Sequence, residues 1–565
     1  MKKFCVVLAT VFAFNTGHGA AGPTNDELKI GTAQEFENLN PLIMTMAATT
    51  YMGYMVNREM VYLDSNGKWL PQLAKTIPTV ENKMVKYTGA GEKRGLIANF
   101  EIIENAKWGD GTPVTCDAFK FAWEIGLNEN VSIASRESYL NIEKIDWDTK
   151  TPKKCVITYK KAKFDYYQTV PRPIPRHIEE AVYKQYGSQK EGYDQNSNYN
   201  KNPTNPGLYN GPYVVSELKL GSHITFAPNP NFYGKKPNIK KVIVKYIPNT
   251  GTLEANLMSG TIDMICSLGL TFDQALGFEE KIQKQNLPFN IHFQAGTTYE
   301  HLDVNLDNPI LKDVRVRKAL VHAIDRQLLV KSLFKGKQAA AIHNLAPLDP
   351  NYTEDKTKIS LYPFDKKEAG RLLQESGWSL NEKDGYRYKD GQKLSLQLMT
   401  TAGNKNREQV QTMLQGQWKS VGVEIIIKNE PARVFFGDTM KERKYSGLAM
   451  YAWTSVPDQS SRSTLHTENI PTKEKSWSGQ NYPGWSNKTT DKLLEQFETE
   501  FLPEKRKAIT MKILKEYTAD IPVIPLYYRS EIAVTPKTMT GFKLTGHLFH
   551  DTNSIEDWNI GTSMK

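Results

Sequence analysis

The sequence has 565 residues, 39% hydrophobic and 24% charged, which is too long for one hydrophobic core and suits a globular chain of about two to four domains. Its formal charge of +10 comes from 72 basic and 62 acidic residues interspersed along the chain. No long Lys/Arg block of the kind that tracks nucleic acid is present, so nucleic-acid binding is not expected.

Met1, Lys2 and Lys3 precede an apolar run at residues 4–14, followed by small residues at Gly17, Gly19, Ala20 and Ala21. This is the pattern of an export signal. The run is roughly half the length that spans a bilayer, so residues 1–21 are expected to be a cleaved signal peptide. The mature chain is then expected to be soluble in the periplasm. Cys5 lies before the apolar run, which does not favour a lipid-attached N-terminus. Among Cys116, Cys155 and Cys266, an oxidising compartment permits one disulfide. Cys116 and Cys155 flank one small α/β unit and are the candidate pair; three buried free thiols are the alternative.

The turn at Gly109, Asp110 and Gly111 leads to Thr112 and Pro113, after which Thr115 and Asp117 can cap a helix carrying Phe119, Phe121, Ala122 and Trp123. Residues 192–210, rich in Asn, Tyr and Pro, read as a long loop. Short strands are expected at 213–215, 223–226 and 242–246, and a helix at 253–258 that stops before Gly260. Asp313 opens a helix with Val316, Ala319, Leu320, Ala323 and Ile324 on one face. Leu394, Leu396 and Leu398 alternate as a strand, residues 410–418 form a helix, and Val423, Ile425 and Ile427 alternate again. That order predicts an α/β unit with a largely parallel sheet. Two α/β regions joined by crossing segments enclose a cleft, the usual place for a small ligand.

Several stretches, taken together and in order, resemble the family 5 extracellular solute-binding proteins, the oligopeptide-, dipeptide- and nickel-binding receptors of ABC importers. They are Lys107-Trp108-Gly109-Asp110-Gly111-Thr112-Pro113, Asn210-Gly211-Pro212-Tyr213, Asn229-Pro230-Asn231-Phe232-Tyr233-Gly234, and Gly260-Thr261-Ile262-Asp263. Asp313-Val314-Arg315-Val316-Arg317, Ala323-Ile324-Asp325-Arg326, Ser376-Gly377-Trp378 and the Pro525-Leu526-Tyr527-Tyr528 segment complete the set. The resemblance covers nearly the whole mature chain. Most of these residues are read as serving the fold, with Arg315 and Arg317 on the polar side of their helix. The resemblance implies an α/β, bilobed periplasmic-binding-protein fold of type II, cluster C-like, with an inserted domain and a hinge between lobes. Carried onto this chain, domain I is 22–65, 205–290 and 536–565, domain II is 66–204, and domain III is 291–535.

The resemblance further implies a peptide receptor that delivers its ligand to the permease subunits of an ABC importer in the inner membrane. It would act as a monomer, with no cofactor, no metal and no catalytic residue. In peptide-binding relatives an Asp shortly after a cleft Trp pairs with the ligand ammonium. Here the stretch runs Trp453, Thr454, Ser455, Val456, Pro457, Asp458, and the acidic position of the motif falls on Val456. Asp458 is either a displaced anchor or an ordinary loop residue capping a turn. Trp453, Tyr482 and Trp485 are candidate aromatic walls, the alternative being core packing. Thr45 and Ala47, after Asn40-Pro41, match the place where relatives offer backbone groups to the ligand; the alternative is a surface loop.

Enzymatic readings lack their usual motifs: no G-x-S-x-G, H-E-x-x-H or G-x-x-x-x-G-K-[ST] occurs. His177, His223, His292, His301, His322 and His466 are scattered without close metal-ligand spacing. Alternatives on the same fold are a receptor for oligosaccharides or a metal chelate. A secreted hydrolase is the reading from a different class, since a glycosidase needs only two well-placed carboxylates.

Overall fold

The computed structural model describes residues 26–561 except 37, 45, 92–93, 134, 432–433 and 476. The expected signal peptide and Thr45 therefore lie outside the described residues. Two long antiparallel strands, Phe289–Val304 and Val523–Pro536, organise the rest. They pair from Phe289 opposite Pro536 to Asp303 opposite Val523, with register shifts between Ala295 and Tyr299 and between Glu300 and His301. Gly296 sits at the first break. A β-carbon there would lie 3.0 Å from the carbonyl oxygens of Arg529 and Gly546, so only glycine lets the two backbones approach without a shift.

These strands are the middle of one mixed sheet. On one side lie Met264–Ile265, Glu27–Thr32, Lys241–Tyr246, His223–Pro228 and Tyr213–Lys219; on the other lie Leu448–Thr454, Ser395–Met399 and Glu424–Ile427. The strands expected at 213–215, 223–226 and 242–246 are all present. The expected largely parallel sheet in the second region is only partly so. Ser395–Met399 pairs in parallel with both its neighbours, but Leu448–Thr454 pairs antiparallel with the first crossing strand. A chain that crosses between regions and returns beside itself must place its two crossing strands antiparallel, and that fixes the middle of the sheet.

The three largest cores among the described residues follow from the apolar patterns. One packs Leu28, Ile30, Ile224, Phe226, Val242 and Val244 with the C-terminal Trp558 and Ile560. A second packs Leu96, Phe100, Phe119, Ile157 and Tyr159 around a four-stranded sheet. A disulfide there joins Cys116, the first residue of the helix Cys116–Leu127, to Cys155 on the strand Lys154–Tyr159, with Cα atoms 5.4 Å apart. The third core packs Leu302 and Val304 against Val316, Leu320, Leu414 and Trp418.

Capping follows sequence chemistry in part. Asp313 accepts a hydrogen bond from the Arg315 amide and opens the helix Val314–His322, as expected. Thr115 occupies the cap position of its helix, but its side chain makes no capping bond. Two expectations are corrected. Arg317 is buried, not on a polar face, and donates to the carbonyls of Leu311, Lys312 and Asp520. Residues 192–210 are not one long loop: they fold into short helices that bury Tyr193, Tyr199 and Tyr209, because ring burial outweighs the Asn/Pro turn preference.

Candidate functional site

The first crossing strand carries two chemistries on its two faces, as the two-residue period of a strand requires. Leu302 and Val304 enter the core. Thr297, Tyr299, His301 and Asp303 line a cavity of about 300 Å³. The neighbouring strand Leu448–Thr454 sets Trp453 opposite Tyr299 and Tyr451 opposite His301. The cavity is completed by residues of the 453–465 segment and by Asn344, Leu345 and Asp349.

Inside it, the His301 ring stacks on Tyr299 at 4.7 Å and meets Tyr451 edge-on at 4.5 Å. The Tyr451 hydroxyl donates to Asp303 Oδ2 at 2.6 Å, and His301 Nε2 lies 3.3 Å from Asp303 Oδ1. Asp349, also buried, accepts from the amides of Asn351 and Asp458. Burial pushes its carboxyl up to about 6.

Trp453, Thr454, Ser455 and Val456 line the cavity; Ser455 is pinned by its amide and hydroxyl to the Thr297 carbonyl. Tyr482 does not line it but stands behind, stacked on Trp453 at 6.2 Å. Trp485 is a core residue: only 2% exposed, it donates from Nε1 to Asp520 and packs on Tyr517. Ala47 is the first residue of the helix Ala47–Val56 and is not part of the cavity wall. Asp458 is held outside it by Arg506 and Asn351. The sequence reading set His301 aside among the scattered histidines and did not single out Asp303 or Asp349. His301 and Asp303 could have been suspected from their place two apart in a β-alternating run, but nothing local shows that their face lines a cavity.

A second cavity, of about 600 Å³, lies against the opposite face. Thr298, Arg407 and Arg529 line it together with Ser267 and Thr271 from the other side of the crossing strands. Glu300, fully buried, accepts from Arg407 Nη2 at 3.0 Å and from Arg529. Burial works against its charge, but the two guanidinium groups more than offset that and hold its carboxyl below the usual range. Among the described residues no cluster of three or more metal-binding side chains occurs, and no helix is long and apolar enough to cross a membrane.

A sequence profile of bacterial extracellular solute-binding proteins, family 5 Middle, matches residues 71–470. The chain belongs to the family 5 extracellular solute-binding proteins. Among family 5 relatives, it is similar to the oligopeptide-binding protein AppA of Bacillus subtilis (strain 168), 24% identical over 541 residues, 94% of this chain and 91% of that one. Its fold is that of the oligopeptide binding protein from Thermus thermophilus complexed with pentapeptide: TM-score 0.72, 26% identity, 95% of this chain and 97% of that chain. NikZ from Campylobacter jejuni in complex with Ni(L-His) shares it too, with TM-score 0.72, 22% identity, and 95% and 100% covered. The bilobed α/β fold expected for family 5 is therefore the fold of this chain.

Proposed function

We propose that the protein is the substrate-capturing component of an ABC importer, binding peptides between two lobes and handing them to the membrane permease. The carrying observation is the cavity walled by Tyr299, His301 and residues 453–456, beside strands that link two separately packed regions. The names of the relatives above, two of them oligopeptide-binding, support peptide as the ligand class. The three largest cores support a division into three domains, although Phe121, Ile174, Tyr193 and Tyr199, expected in domain II, pack in one core with Leu28 and Val242 of domain I. The site needs no cofactor and performs no chemical step: ligand favours closure because the closed state makes contacts with it that the open state lacks. Work in the periplasm as a monomer fits this role.

The test is small-angle scattering and calorimetry with a diverse pool of tri- to pentapeptides. Heat of binding with a more compact particle is the expected result. Absence of both, with binding of an oligosaccharide or a nickel–histidine chelate instead, would replace the peptide assignment; turnover of any of them would replace the receptor reading.

A further inference from the structure

Domains I and II are packed as one body: beside their shared core, Arg172 pairs with Glu59 at 2.7 Å. Domain III joins that body through the crossing strands, and it touches it again at the corner between the helices Lys488–Thr499 and Pro503–Asp520. The chain shapes this corner locally. Pro503 opens the second helix, at a position where its missing N–H costs nothing. Arg506, in the first turn, donates to the carbonyls of Glu500 and Phe501.

Phe501 projects from the corner and packs against the domain II core that holds Leu96, Phe100 and Tyr159. Its ring meets Tyr87 edge-on at 5.1 Å, and the Arg94 guanidinium lies 5.6 Å from its centre. Two hydrogen bonds to main-chain carbonyls fix the approach. Arg94 donates to Thr499 at 2.9 Å, and the Phe164 amide donates to Glu498 at 3.1 Å. The Phe164 ring is in turn enclosed by domain III: Phe497 meets it edge-on at 5.2 Å and the Arg506 guanidinium lies 4.1 Å from its centre.

Rings at the centre with directed polar contacts around them are the make-up of an interface. Tyr87, Arg94, Phe164, Phe501 and Arg506 line neither cavity described above. A ligand held in either cavity therefore makes no contact with this interface, which favours the closed arrangement by the same amount whatever the ligand is. A chain whose binding-competent state is better populated binds all its ligands more tightly by one common factor.

We propose that the Phe501 corner is a closure latch: it docks domain III onto domain II when the lobes meet, and it sets how long every ligand is held without choosing among them. The proposal rests on the two-lobe receptor reading above.

Phe501→Ser and Arg94→Ala break the contact from its two sides. Hydrogen exchange in the ligand-free chain is the first readout. The Phe164 amide, bonded across the contact, is expected to exchange about tenfold faster in each variant. The Ile157 amide, inside the domain II sheet, is expected to keep its rate, which reports that the domain is folded; should Phe501→Ser fail that control, Arg94→Ala, on a partly exposed residue, carries the test. The second readout is release of two unlike peptides, trialanine and trilysine. Each variant is expected to release both about tenfold faster at an unchanged association rate. An unchanged Phe164 rate, or faster release of one peptide and not the other, overturns the latch and leaves the receptor reading standing. If neither peptide binds the parent, the peptide reading fails and the Phe164 rate alone decides the latch.

Discussion

Arg506 grips Asp458 through two nitrogens, with Nη2 2.5 Å from Oδ2 and Nε 3.3 Å from Oδ1. The same guanidinium lies 4.1 Å from the centre of the Phe164 ring and donates to the carbonyls of Glu500 and Phe501. Asp458 has a backbone φ of 55°, a left-handed turn that aims its carboxylate at Arg506. A carboxylate so engaged holds a loop in place and is not free to meet a ligand.

Asp458→Asn is therefore expected to lower stability by about 2–4 kcal/mol, because it leaves a largely buried guanidinium without its partner. Peptide affinity should change by less than about threefold, equivalent to under 1 kcal/mol. Urea denaturation and calorimetry on the same sample check both. A hundredfold loss of affinity with unchanged stability would return Asp458 to the ligand site.

Thiol chemistry follows from the placement of three cysteines. Cys116 and Cys155 are bonded, and Cys266 is buried with its thiol pushed up to about 12, chiefly by burial. Chain lacking residues 1–21 should show one thiol when denatured without reductant, and none reactive at pH 8 when native. The loop closed by the disulfide spans 39 residues, so opening it by a double Cys→Ser change should cost on the order of 4 kcal/mol in the loop-entropy account. Two or three thiols in the denatured, unreduced chain would contradict the pairing.

Asp551 makes stability depend on pH. It is 1% exposed, accepts a hydrogen bond from the Tyr51 hydroxyl, and is pushed up from 3.8 to about 7, chiefly by burial. A folded-state value above the unfolded one means that the fold holds its proton more tightly. The penalty is absent below about pH 4, grows as pH rises to 7, and is constant above. Asp551→Asn removes it, so the variant is expected to be about 2–4 kcal/mol more stable than the parent at pH 8 and no more stable at pH 3.5. Thermal or urea unfolding across that range checks the sign.

Glu300 behaves oppositely. Its carboxylate ties the first crossing strand to Arg407 on the helix Lys405–Lys419 and to Arg529 on the return strand. Glu300→Gln leaves two guanidinium groups close together without their anion and is expected to cost about 3–5 kcal/mol at pH 7. Because its folded value is depressed, the contribution is present above about pH 4.5 and lost as pH falls. The gap between parent and variant should therefore narrow toward pH 3.

Much of the architecture was legible locally. Alternating apolar residues at 242–246 and 394–398, the Asp313 cap and the stripe from Val316 to Ile324 are short-range signals, and their elements appear where those signals put them. The ordered signatures of the family carried the bilobed fold, since turns such as Gly109-Asp110-Gly111 record backbone geometry directly. The segment 453–456 was singled out only by the family resemblance, since nothing in its local pattern marks a cavity wall.

The sequence by itself determined many of the strands and helices, the apolar faces that had to be buried, and the family to which they belong. What faces the cavity was decided only by tertiary structure. His301 and Asp303 are brought to Tyr451 by pairing with a strand almost 150 residues away in the chain, and Asp349 joins them from a third segment. Asp458 was open between ligand anchor and turn cap until Arg506, 48 residues on, claimed it; Trp485 was open between cleft wall and core until Asp520 and Tyr517 enclosed it. A carboxylate or a ring has the same local signature whether its partner is a ligand or another side chain, and only the folded chain supplies that partner.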